Sequence, residues 1–131
     1  MNNYAEKFIE AAKSLIQEIK KTSELNKAGY NQANSLISDG KVIMRSSWKP
    51  PSTEEENAYI KKNGIEKYSK WFLGEDNSTI ATTKGNWSYI YTSDFENVDR
   101  SGLIAIRQRA GQQNQQDIFA AAGRLLEKID A

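Results

Sequence analysis

The chain has 131 residues, with 18 basic and 17 acidic side chains for a formal charge of +1, and it contains no cysteine and no histidine. That length suits one domain with a single core of moderate size. The missing residue types exclude disulfides, thiol nucleophiles, Cys/His zinc sites, imidazole proton shuttles and Ser-His-Asp chemistry. The near-neutral charge supplies no global field for nucleic acid or an anionic membrane surface, so any such binding needs a local patch. No apolar run approaches the roughly 20 residues that span a bilayer, so no membrane is expected among its partners. The start "MNNYAEKFIEAAK" carries acids and amphipathic spacing in place of a basic tip and an apolar block, which points to a cytoplasmic protein without a signal peptide. The glycosylation-like triplets at Asn77 and Asn86 then read as chance matches.

From Asn2 to about Asn26, Ala5, Phe8, Ile9, Ala12, Leu15, Ile16 and Ile19 recur three and four apart, which predicts an amphipathic helix. Its seam fits a heptad for about two repeats, short of the three or four that argue for a coiled coil. A short helix up to Ile37, a turn at Asp39-Gly40 and a strand at Val42, Ile43 and Met44 follow, with a hairpin across Asp39-Gly40 as the alternative. After Pro50 and Pro51, Ser52 and Glu55 form a capping-box pattern, so a helix is expected from Thr53 to Asn63-Gly64. A further helix is expected from Ile65 to about Leu73, ended by Gly74. "EDNSTIATTKG" is a polar loop, and Trp87, Tyr89 and Tyr91 then alternate with Ser88, Ile90 and Thr92 as a strand does. Ser93 and Glu96 make a second capping-box pattern, which predicts a helix from Asp94 to about Ala110 lined by Phe95, Val98, Leu103 and Ile106 and closed by Gly111. A last helix from about Gln115 to Ile129 carries an inward stripe of Ile118, Phe119, Ala122, Leu125, Leu126 and Ile129. The expected class is a mostly helical α+β domain of about five helices with a small antiparallel sheet.

No motif carries chemistry. Ser46 to Lys49 has the spacing of some acyl enzymes without the companion motifs. The loop from Asp76 starts like a calcium site but has Ile80 and Ala81 where a ligand and the turn glycine belong. No glycine-rich phosphate loop follows a strand. The acids at Glu54 to Glu56, at Glu75-Asp76 and at Asp94, Glu96 and Asp99 suit solvated faces and helix N-termini better than acid–base work. No cofactor and no metal is expected. What remains is the aromatic strand with Arg100, Arg107 and Arg109. Arg100 and Arg107 lie seven apart on one helical face, and Arg109 lies to the side. Trp, Tyr and Arg dominate binding hot spots and base-stacking platforms, but the same residues also fill small cores and pair with acids, and the sequence leaves both readings open.

The segments "EEENAYIKKNGIEKYSKWFLGED", "KGNWSYIYTSDF", "RSGLIAIRQRAGQ" and "DIFAAAGRLLEKID" are similar to a type of small bacterial and archaeal protein of unknown function. The resemblance covers about residues 48–131 and implies a compact module without implying an activity. It leaves the N-terminal helix as an added element for assembly or docking. The functional expectation is a non-enzymatic, self-associating protein-interaction module, of a size that also suits an accessory, phage-derived or defence-related protein. Its binding residues are Trp87, Tyr89, Tyr91, Arg100, Arg107 and Arg109. The alternative is nucleic-acid, nucleotide or small phosphorylated-ligand binding through the same aromatic and arginine surface.

Overall fold

A computed structural model describes residues 23–76 and 84–131. In chain order the described elements are β1 (Ser23–Leu25), α1 (Lys27–Ser38), β2 (Val42–Ile43), α2 (Thr53–Asn63), α3 (Ile65–Ser69), β3 (Phe72–Asp76), β4 (Trp87–Ile90), β5 (Val98–Asp99), α4 (Arg100–Gln112) and α5 (Gln116–Asp130). The fold is α+β and mostly helical, as the sequence predicts. One sheet has the order β1-β3-β4 and is antiparallel throughout, with Leu25 opposite Gly74 and Phe72 opposite Ile90. A second, two-stranded sheet pairs β2 with β5 in parallel, Val42 opposite Val98.

Small residues let these layers close. Gly29, on the buried side of α1, lies so near β3 that a Cβ there would stand 1.8 Å from the Phe72 carbonyl oxygen. Asn26, just before α1, ties the same junction: its amide donates to the Ser69 and Phe72 carbonyls at 2.8 and 3.0 Å. The Ser52–Glu55 capping box starts α2 as expected, satisfying donors that the first helical turn leaves open. Gly64, at φ 89°, ends it. Asp99, fully buried, caps α4 by accepting from the Ser101 N–H at 3.0 Å and from the Ser101 hydroxyl at 2.5 Å. Arg45 reaches the same carboxylate at 2.9 Å and compensates the buried charge. Ile118, Ala121, Ala122 and Leu125 of α5 complete the core with Leu73, Tyr91, Val98, Leu103 and Ile106.

Several boundaries differ from those expected. The predicted N-terminal helix falls on residues 1–22, outside the described residues, except for its end: Ser23–Leu25 is a strand. Its backbone is claimed by β3 on one edge, and on the other the Leu25 N–H donates to the Asp117 carboxylate at 2.9 Å. No hairpin forms at Asp39-Gly40, because β2 finds its partner in β5, far along the chain. The helix expected over Ile65–Leu73 stops at Ser69, and Gly74 is a mid-strand residue. Gly74 is required there because a Cβ would meet the Ser88 hydroxyl oxygen at 2.6 Å and the Tyr89 ring at 2.8 Å. Ser93 and Glu96 do not cap a helix. Asp94 instead accepts from the Glu96 and Asn97 N–H groups, both at 2.9 Å, and closes a turn that delays α4 to Arg100. Helix α4 passes through Gly111 to Gln112, and the bend falls at Asn114, at φ 57°.

Candidate functional site

The aromatics of β4 do not form a ladder. Tyr89 adopts φ 65°, which breaks the alternation and turns its ring inward, where its hydroxyl donates to Gln113 and Arg109 lies over its face at 5.3 Å. Tyr91 is fully buried. Its hydroxyl donates to the Lys70 carbonyl at 2.6 Å and accepts from the Gln32 amide at 3.3 Å. Burial holds that hydroxyl well above the usual phenol range, against a smaller opposing effect of the Gln32 hydrogen bond. Trp87 is half-buried, with an indole N–H that is buried and finds no acceptor among the described residues. Two of the three candidate aromatics are therefore core residues, and the third shows only part of its surface.

The arginines divide as well. Arg100 makes a two-pronged pair with Asp130 at 2.9 and 2.8 Å, fastening the start of α4 to the end of α5. Arg107 shares its helical face and also turns toward α5, where its guanidinium lies 4.7 Å from the centre of the Phe119 ring. Arg109 points away to Tyr89. Arg107 and Arg109 make no ion pair among the described residues, and the sequence of α4, "RSGLIAIRQRAGQ", contains no acid. Arg107 thus joins a surface the sequence reading missed, while Arg100 is committed to holding two helices together.

That surface is the outer face of α4 and α5. Ile104 and Phe119, 37% and 36% exposed, line one cleft on this face. Clefts of about 410 Å³ flank Phe119 on both sides, one bounded by Ala110, Gly111 and Ala120 and the other by Ile104, Arg107 and Leu126. The signal was present in α5: Ile118, Ala122, Leu125 and Ile129 fill the inner row, which leaves Phe119 and Leu126 on its shoulder.

A second concavity lies between α1 and the turn before β5. The Phe95 ring stacks on Tyr59 at 4.4 Å and 15° and meets Trp71 edge-on at 6.2 Å and 79°. The Trp71 indole N–H donates to the Tyr59 hydroxyl at 3.0 Å. Phe95 sits at φ 56°, a conformation that costs an aromatic residue about 1–3 kcal/mol and persists only where neighbours impose it. Thr92 and Asp94 impose it: the Thr92 hydroxyl accepts from the Phe95 N–H at 3.0 Å and donates to the Asn97 carbonyl at 2.7 Å. Burial alone would raise the Asp94 carboxyl, but hydrogen bonds from Asn97, Glu96 and Thr92 outweigh it and hold the group below its usual range. Trp71 and Phe95 form the floor of an open cleft of about 550 Å³, with Gln32, Leu36, Lys41 and Glu96 around it.

The remaining candidates are structural. Glu55 closes the capping box, and Glu56 accepts from the Tyr68 hydroxyl and lies 3.5 Å from Lys84. Among the described residues no group of three or more acids is placed to hold a metal ion, and no helix is long and apolar enough to cross a membrane. Comparison with protein-family models, with curated proteins and with solved structures finds no match to this chain.

Proposed function

We propose that the chain is a non-enzymatic protein-interaction module that associates with a second copy of itself through the outer face of α4 and α5. The observation that carries this reading is the position of Phe119, an exposed aromatic standing between two clefts on one face. A knob beside a hole is self-complementary under a two-fold axis, since the knob of each copy can enter the hole of the other. Arg107 over the Phe119 ring adds the pairing of aromatic and arginine that recurs at binding hot spots. The exposed part of Phe119, roughly 70 Å² for a ring of this size, is worth about 2 kcal/mol per copy when covered. Ile104 and Leu126 extend the apolar area.

Light scattering of the untagged chain at micromolar concentration tests the reading: a dimer or larger is expected for the parent, and a monomer with unchanged circular dichroism for Phe119→Asp. A monomeric parent would end it. Leu15→Asp distinguishes this face from the N-terminal stripe, because loss of assembly in that variant alone would move the contact to residues 1–22.

A second reading is favoured by one observation, the two guanidinium groups of Arg107 and Arg109 on a helix without acids. These could meet nucleic acid or a phosphorylated ligand. Binding would then weaken with salt at a logarithmic slope of about 0.7 to 0.9 per phosphate contacted, and Arg107→Ala would lower that slope by nearly one unit. Affinity independent of salt would leave only the protein-interaction reading.

A further inference from the structure

We propose that the outer face of α4 and α5 has a competing occupant in the same chain: the amphipathic segment of residues 2–21 folds back over Phe119, Ile104 and Leu126 and so limits self-association. The docking stands on the sequence and the fold, and its effect on assembly rests on the self-association reading above. The segment carries Phe8, Ala12, Leu15, Ile16 and Ile19 on one side of a helical repeat. Such a helix draws most of its stability from packing its apolar face, so the stripe calls for a second apolar surface. Among the described residues the exposed large apolar side chains are Met44, Ile104 and Phe119. Two of these three stand together on the α4 and α5 face, whereas Met44 follows β2 in the two-stranded sheet.

The point where the segment joins the fold selects the same face. It leads into β1, an edge strand, whose Leu25 N–H donates to Asp117 in the first turn of α5. Thr22 precedes Leu25 by three residues, about 10 Å of extended chain, and Phe119 follows Asp117 by two. Ala120, exposed and small, leaves α5 a low outer surface beside Phe119. Length fits as well. A helix over residues 2–21 would measure about 30 Å, enough to cover α4 and α5, whose 13 and 15 residues span about 20 and 22 Å. A segment tethered this closely has an effective concentration of about millimolar, so a weak contact suffices to hold it. A dimer needs two open faces at once. With about two-thirds of the chains closed, dimerisation weakens by the square of the open fraction, about tenfold.

The absence of cysteine allows a selective test. Ser14→Cys, opposite the apolar stripe, and Gln112→Cys, at the exposed end of α4, carry a donor and an acceptor dye for single-molecule energy transfer in the full chain at nanomolar concentration. High transfer is expected. Leu15→Asp and Phe119→Asp should each move most molecules to a low-transfer population, and an excess of unlabelled chain should do the same by displacing the segment. In sedimentation equilibrium, Leu15→Asp should dimerise about tenfold more tightly than the parent. Low transfer in the parent, or transfer that neither substitution changes, overturns the docking. A dimer that Leu15→Asp weakens or leaves unchanged overturns the competition. Failure of the self-association reading gives a different result: the parent is then monomeric at every concentration, while the transfer lost in Phe119→Asp still reports the docking.

Discussion

Replacing Tyr91 separates a core residue from a recognition residue. Its ring is fully buried against Trp71, at 5.7 Å between ring centres, and its hydroxyl links the Lys70 carbonyl to the Gln32 amide. Tyr91→Ala removes a whole buried aromatic and should cost about 3–5 kcal/mol. Tyr91→Phe removes only the hydroxyl. The Gln32 amide still donates to the Lys70 carbonyl at 3.3 Å, so that oxygen keeps a partner and the loss should be about 1 kcal/mol. For a domain of this size a kilocalorie corresponds to roughly 3–5 °C in melting temperature. The expected falls are therefore about 3–5 °C for the phenylalanine and about 10–20 °C for the alanine variant. Thermal unfolding followed by far-UV circular dichroism measures both falls, and urea unfolding the corresponding free energies. A Tyr91→Ala protein within about 1 kcal/mol of the parent would refute the placement of this ring in the core.

Three further substitutions test the joints of the fold. Gly29→Ala should destabilise by more than about 3 kcal/mol, since its Cβ would need α1 to withdraw from the Phe72 carbonyl, and a soluble protein of parental stability would contradict that packing. Arg45→Ala should cost about 1–3 kcal/mol by stranding the buried Asp99 carboxylate, with the partial exposure of Arg45 limiting the loss; Arg45→Lys should recover only part, because two guanidinium nitrogens bond one oxygen. Asp94→Asn should lower the urea midpoint at pH 7. The folded-state carboxyl of Asp94 titrates below its unfolded value, so its stabilisation is present above about pH 4 and is lost as pH falls through the folded value. Parent and Asp94→Asn midpoints should therefore converge as pH falls through the folded value of Asp94, and a gap that stays constant with pH would refute the role given to the charge.

The parts of the fold legible in the sequence are those set by local signals. The Ser52–Glu55 box, the Gly64 stop, the Asp39-Gly40 turn and the periodicity of α5 all lie within a few residues of what they specify. The misread parts depend on distant partners. Phe72 and Leu73 continue a helical pattern, yet β4 pairs with Phe72 on one edge and the Asn26 N–H donates to the Leu73 carbonyl on the other, which draws them into β3. Ser93 and Glu96 carry the letters of a capping box, but the flanking Thr92 and Asp94 capture the Phe95, Glu96 and Asn97 N–H groups instead. The site was harder still. Arg107 is legible as a candidate binding residue, whereas Phe119 reads as part of the inward stripe, because periodicity distinguishes a row from its shoulder only when the neighbouring helix is known. The capping-box letters put Phe95 on a helix face, and its left-handed backbone has no signature in a residue type that seldom adopts it.

The central claim, self-association through the face of α4 and α5, is tested most directly by isotope-filtered NMR on a mixture of labelled and unlabelled chains, which reports only contacts between copies. Intermolecular contacts from the Phe119 ring to the Ile104 and Leu126 methyl groups are the predicted result. Contacts confined to other residues, or none at a concentration where the sample is dimeric, would contradict it.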